Sequence, residues 1–145
     1  MKPLKTALVM LLLTITTASF AQKESKPAIF SKEPAKLSCN SSALSNAFNK
    51  AEGETVKISF SDRVYSGTVI SNIVKYSNLQ SMSIRLTGFN NAVLHLSKQI
   101  NKDMSLNFVG RILNNDASDG YVIEKAGDHY AFVKINTNKF LEACH

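Results

Sequence analysis

Three histidines, His95, His129 and His145, are the side chains of this sequence best suited to proton transfer or metal ligation. A metal centre needs such groups, or Cys, Asp and Glu, gathered at workable spacing. No two of these histidines form an H-x-x-H or H-E-x-x-H pair. His95 lies on the polar parity of an alternating segment, His129 follows Asp128 in a turn, and His145 adjoins Cys144. His95 and His129 read as solvated imidazoles, His145 is terminal beside a cysteine expected to be bridged, and no metal is expected. Nucleophilic catalysis requires a nucleophile, a base and an orienting group, yet no serine sits in a G-x-S-x-G elbow. Paired carboxylates are also lacking where a cleft would need them: the strand-like segments hold almost no acid, Glu124 being the exception. The polar run Asn114–Gly120 fails as a calcium loop. Ending on Gly120, it would need a ligand at Ala117 and would place Ala126 at position twelve. No phosphate-binding glycine loop or dinucleotide fingerprint is present. The expectation is no catalytic residue and no cofactor.

The two cysteines ask a different question. Met1–Lys5 carries two lysines, Ala7–Leu13 is an unbroken apolar run, and Ser19 and Ala21 are small residues at −3 and −1 of a cut before Gln22. That three-part layout predicts a signal peptide over residues 1–21 and export to the periplasm or beyond. The apolar run dilutes into Thr14, Thr16 and Thr17, short of the roughly 20 residues a membrane span needs. No stable span is therefore expected once the signal is removed. Cys39 and Cys144 lie beyond the cut, and an even count in an oxidising compartment predicts a Cys39–Cys144 disulfide. Closing so long a loop would remove about 4–5 kcal/mol of unfolded-chain entropy.

Cleavage removes Lys2 and Lys5 and no acid, so the formal charge falls from +6 to +4. This mild bias favours acidic surfaces without naming nucleic acid, and no nucleic-acid partner is expected.

Behind these residues stand the elements that would position them. Residues 22–38 are lysine-rich, carry Pro27 and Pro34, and read as a flexible or extended lead-in. Residues 39–145 form the predicted single domain. Ser41 or Ser42 is placed to cap a helix whose Leu44, Ala47, Phe48 and Ala51 share a face, with Gly53 at its end. From Thr55 the period becomes two. Val56, Ile58 and Phe60 alternate with polar neighbours, as do Met82, Ile84 and Leu86, and then Leu94 and Leu96. Leu106, Phe108 and Ile112 follow, and segments Tyr121–Lys125 and Tyr130–Ile135 complete seven strands. Val64–Tyr76 shows mixed parity, with Gly67 marking a bulge or bend. Asn136 or Thr137 would cap a last short helix bearing Phe140, Leu141 and Cys144.

Connections of a few residues cannot support parallel crossovers. The fold class is therefore mainly β (α+β): an antiparallel meander forming an open barrel or sandwich, with one N-terminal helix packed on it. Lys57, Arg85, His95 and Arg111 occupy the polar parity of their strands and form a candidate basic binding face if those strands are neighbours.

Phe108-Val109-Gly110-Arg111-Ile112, Asp119-Gly120-Tyr121-Val122-Ile123 and Tyr130-Ala131-Phe132-Val133-Lys134, behind a leader ending Phe20-Ala21-Gln22, carry a resemblance. They are similar to small exported β-rich proteins, or prosegment-like regions of secreted peptidases, of Bacteroidetes-type bacteria. The resemblance implies a stand-alone β module touching another exported protein, and it carries over no catalytic residue. The expected function is an exported, non-catalytic binding module, a partner or inhibitor of another exported protein, or one that meets an acidic surface. The alternative is a carrier of a small apolar ligand within the curled sheet, in a cavity lined by Val56, Phe60, Ile84 and Phe108.

Overall fold

The structure is a computed structural model and describes residues 26–138. The expected signal peptide and the Phe140, Leu141 and Cys144 of the expected last helix lie outside the described residues, while at that helix's expected start Asn136 Oδ1 accepts from Asn138 N–H at 3.0 Å. Eight antiparallel strands form one sheet: β1 (Lys36–Asn40), β2 (Thr55–Phe60), β3 (Arg63–Tyr76), β4 (Leu79–Leu86), β5 (Val93–Ile100), β6 (Leu106–Leu113), β7 (Asp119–Ala126) and β8 (His129–Asn136). From β2 to β8 each strand pairs with the next, and β1 pairs with β8. β1 and β2 then face each other, joined where Ser61 N–H donates to the Ser38 carbonyl at 2.6 Å and Ser38 N–H donates to Ser61 Oγ at 3.0 Å. The result is a nearly closed barrel.

Alternation builds its core. Val56, Ile58 and Phe60, then Met82, Ile84 and Leu86, then Leu94 and Leu96, are buried while their sequence neighbours face outward. Gly67 and Gly110 sit on the inner parity of β3 and β6. A Cβ on Gly67 would lie 2.5 Å from the Arg85 carbonyl oxygen, and one on Gly110 would lie 2.6 Å from that of His95. Close approach of the adjacent strand, not a bulge, explains Gly67. The register breaks of β3 fall instead between Val69 and Ser71 and between Val74 and Tyr76, which accounts for its mixed parity.

Two plugs close the ends. At one, helix α1 (Ser41–Ala47) lays Leu44, Ala47 and Phe48 on the core. Its cap is Asn40, not Ser41 or Ser42: Asn40 Oδ1 accepts from Ala43 N–H at 2.7 Å and from Ser42 Oγ at 2.8 Å. The helix stops before Ala51, which is exposed. Asn72 on β3 donates through Nδ2 to the carbonyls of Phe48 and Lys50, at 2.9 and 2.8 Å, and so satisfies the chain just past the helix.

At the other end the proline-containing segment does more than lead in. Phe30 and Leu37 are core residues, and Lys36–Asn40 is the eighth strand. Buried Asp119 accepts from the backbone N–H of Ile29 at 2.8 Å and of Phe30 at 3.0 Å. Lys134 Nζ donates to the carbonyls of Phe30 and Glu33, and Tyr121 Oη donates to that of Pro34. The Phe30 ring stacks on Phe89 and meets Tyr121 edge-on.

Removing the Asp119 carboxylate would strand one part-buried amide, that of Ile29, and one buried amide, that of Phe30. Asp119→Ala is expected to lower unfolding free energy by about 2–3 kcal/mol in denaturant titration. Asp116→Ala in the adjoining exposed loop should stay within about 0.5 kcal/mol.

Candidate functional site

The outward side chains of the sheet line up in rows, because each cross-strand pair places two side chains on the same face. One row runs Ser71, Ser83, His95, Arg111, Val122, Val133 and Lys36 across β3, β4, β5, β6, β7, β8 and β1. His95 and Arg111 are direct partners in it. Arg85 pairs with Val93, one step along from the Ser83–His95 pair, and so lies diagonal to His95. Lys57 on β2 is outward too, but it stands opposite Ser66 of β3, two strands from Arg85 or about 10 Å across. Of the four expected basic residues, three form a cluster and Lys57 stands aside.

The cluster borders two concavities. His95, Ser97, Val109, Gly110, Arg111 and Val122 line a shallow groove of about 370 Å³. Arg85 borders another, of about 470 Å³, with the hydroxyls of Thr68 and Thr87 and the amides of Asn90 and Asn91. From β3 to β6 the strands contain no Asp or Glu, and their outer parity carries Arg85 and Arg111; Arg63 turns to Glu33, and Lys98 lies on the inner parity over the Phe48 ring. This wall therefore has a positive potential that none of its own strands offsets.

His95 Nδ1 lies 3.0 Å from Ser83 Oγ. Partial burial first, and the neighbouring Arg111 charge second, hold its pKa below the ordinary imidazole value of 6.5. The neutral ring is thus favoured by the fold. Stability that depends on it is present above the ordinary value and is lost as pH falls through the depressed one.

A second polar cluster lies at the Phe30 end. Arg63 Nη1 reaches Glu33 Oε2 at 2.8 Å, and Tyr65 Oη donates to the same oxygen. Burial, and then the bond to Glu33 and its charge, push the Tyr65 phenol upward. Tyr121 is raised to about 12, by burial first and then by the charges of Glu33 and Asp119. Both phenols therefore stay protonated and act as fixed donors. This cluster fastens the plug to β3 across some thirty residues of sequence, a separation that no local pattern in the chain signals.

Among the described residues, no three His, Cys, Asp or Glu side chains gather as a metal site. His129 and Glu124 are exposed on separate strands. Val56, Phe60, Ile84 and Phe108, the side chains expected to line a ligand cavity, belong to the packed core. Phe60 lies 4.9 Å from Phe132 and Phe108 5.4 Å from Tyr130, centroid to centroid. Cys39 points inward on β1, and burial raises its thiol to about 11. Its expected partner Cys144 lies outside the described residues. Within those residues no helix is long and apolar enough to cross a membrane. No family model, curated protein or solved structure matches this chain.

In a proton NMR titration His95 should ionise below 6.5. Arg111→Gln should move it only part of the way back, since burial is the larger cause. A Cys144→Ser variant isolates the Cys39 thiol. The native thiol should resist disulfide reagents near pH 8, where denatured protein reacts fully. Because the folded thiol value is raised, that variant should lose stability as pH climbs from 9.0 towards about 11.

Proposed function

We propose that this chain is an exported, non-catalytic binding module that holds an acidic partner against the outer face of β3–β6. The partner is another exported protein, and the module acts on it as a companion or inhibitor. The observation that carries the reading is the acid-free wall, with Arg85, His95 and Arg111 clustered beside two open grooves. A positive, hydroxyl-rich, shallow surface suits recognition of carboxylates by charge and hydrogen bonding. It offers no enclosed volume and no converging acid–base pair for turnover. The leader sequence and the Cys39–Cys144 pair belong to the same proposal, because both suit an oxidising compartment outside the cytoplasm.

Arg85→Glu/Arg111→Glu tests the wall directly, since both side chains are exposed and their replacement should leave thermal unfolding nearly unchanged. An acidic envelope protein retained by the wild-type chain should bind the double variant at least ~10-fold more weakly. Wild-type binding should also fall steeply with added salt. Retention unaffected by either change would reject the proposal. The mass of chain recovered from the periplasm checks the other two elements. It should begin at Gln22, and the unreduced form should be lighter by two hydrogens.

A further inference from the structure

Exposed apolar side chains collect at the α1 end of the barrel. Seven large ones are exposed among the described residues, and five of them, Ile73, Val74, Tyr76, Met104 and Leu106, lie on the β3–β4 and β5–β6 hairpins. These hairpins are neighbours. Ile100 N–H donates to the Asn78 carbonyl at 2.9 Å, Leu79 pairs with Gln99, and Ile100 pairs with Leu106. Four successive residues, Ile73 to Tyr76, are exposed, so β3 is uncovered on both faces where it runs past the barrel. Val74 and Tyr76 are each 68% exposed and Met104 is 77% exposed, at a backbone φ of 65° in its turn. Apolar exposure concentrated in this way marks an interaction surface.

Shape and charge choose the occupant. A strand tip that is apolar on both faces offers a protein groove only one of them, whereas a fluid apolar phase wets both. The same hairpins carry Lys75 and Lys102, and Lys125 on β7 lies close enough to lower the Asp103 pKa, after the larger effect of bonds from Ser105. The acids in the turns at this end are Asp103, Asp128, Glu52 and Glu54; Asp103 is engaged by the Ser105 N–H and hydroxyl, and Glu54 pairs with Lys50 at 3.3 Å. Lysine beside exposed tyrosine and aliphatic side chains is the composition of an interfacial anchor.

We propose that the two hairpin tips dock on an anionic lipid bilayer. Val74, Tyr76 and Met104 enter the headgroup–acyl boundary, and Lys75, Lys102 and Lys125 meet lipid phosphates. This contact is peripheral and spans nothing. It uses the end of the barrel, not the wall proposed to hold a partner, so each proposal stands without the other.

The sequence has no tryptophan. Tyr76→Trp therefore places a lone fluorophore at the tip of the full chain. With phosphatidylcholine vesicles containing phosphatidylglycerol, its emission should shift to the blue. Phosphatidylcholine alone should leave it unchanged. Adding Lys75→Glu/Lys102→Glu should weaken binding at least ~10-fold, and Val74→Ser/Met104→Ser should abolish the shift, with circular dichroism unaltered in both. Co-sedimentation without an emission shift would place another segment in the bilayer and overturn the proposal. A dimer in sedimentation velocity that disappears in the Val74→Ser/Met104→Ser variant would overturn it equally, by making a second copy the occupant.

Discussion

Curling an antiparallel meander until its first and last strands meet leaves two open mouths. That constraint runs through the whole structure. Side-chain alternation fills the middle of a barrel without help, because every second residue points inward. It cannot cover the ends, where the inner faces of the outermost residues would meet water. Helix α1 covers one mouth with Leu44 and Phe48, and the segment around Phe30 covers the other. Both plugs come from sequence that precedes the meander and are tied down by polar groups on the sheet, Asn72 for the first and Asp119, Tyr121 and Lys134 for the second. In each case free backbone groups of an irregular segment find side-chain partners, without which their burial would be costly.

Large aromatic side chains pack against one another inside, Phe60 on Phe132 and Phe108 on Tyr130. The outer parity of β3–β6 is basic and rich in hydroxyls, with no acidic residue on those strands. Near the α1 end the two hairpins run past the plug, and their apolar residues remain exposed. Two surfaces of different character thus arise from one architecture. The first is a charged wall and the second an apolar rim.

Much of this was legible from residue order. The period of two from Val56 onward placed most of the core, including Met82, Ile84, Leu94 and Phe108, and put Arg85, His95 and Arg111 outside. Strand β1 was not legible: five residues with only Leu37 and Cys39 on the buried parity are too short a window beside Pro34. The helix cap was misplaced by one residue, because Asn40 ends a strand and opens a helix at once. Gly67 looked like a bulge, while the real breaks come at residues with no special turn chemistry. The Glu33–Arg63–Tyr65 cluster and the Asp119 clasp join positions some 30 and 90 residues apart. No spacing rule reaches that far.

By itself, then, the order of residues determined which side of the sheet each strand residue faces, since that depends only on a backbone repeat of two. It also determined that the strands run antiparallel, since the connections are too short for anything else. Only the folded chain decided which strands are neighbours across the barrel, and with that whether Lys57 joins the basic cluster, which buried carboxylate holds the Phe30 plug, and where the two hairpins overhang. Those outcomes depend on register and closure, which arise from the competition of many weak contacts at once and leave no local trace in the sequence.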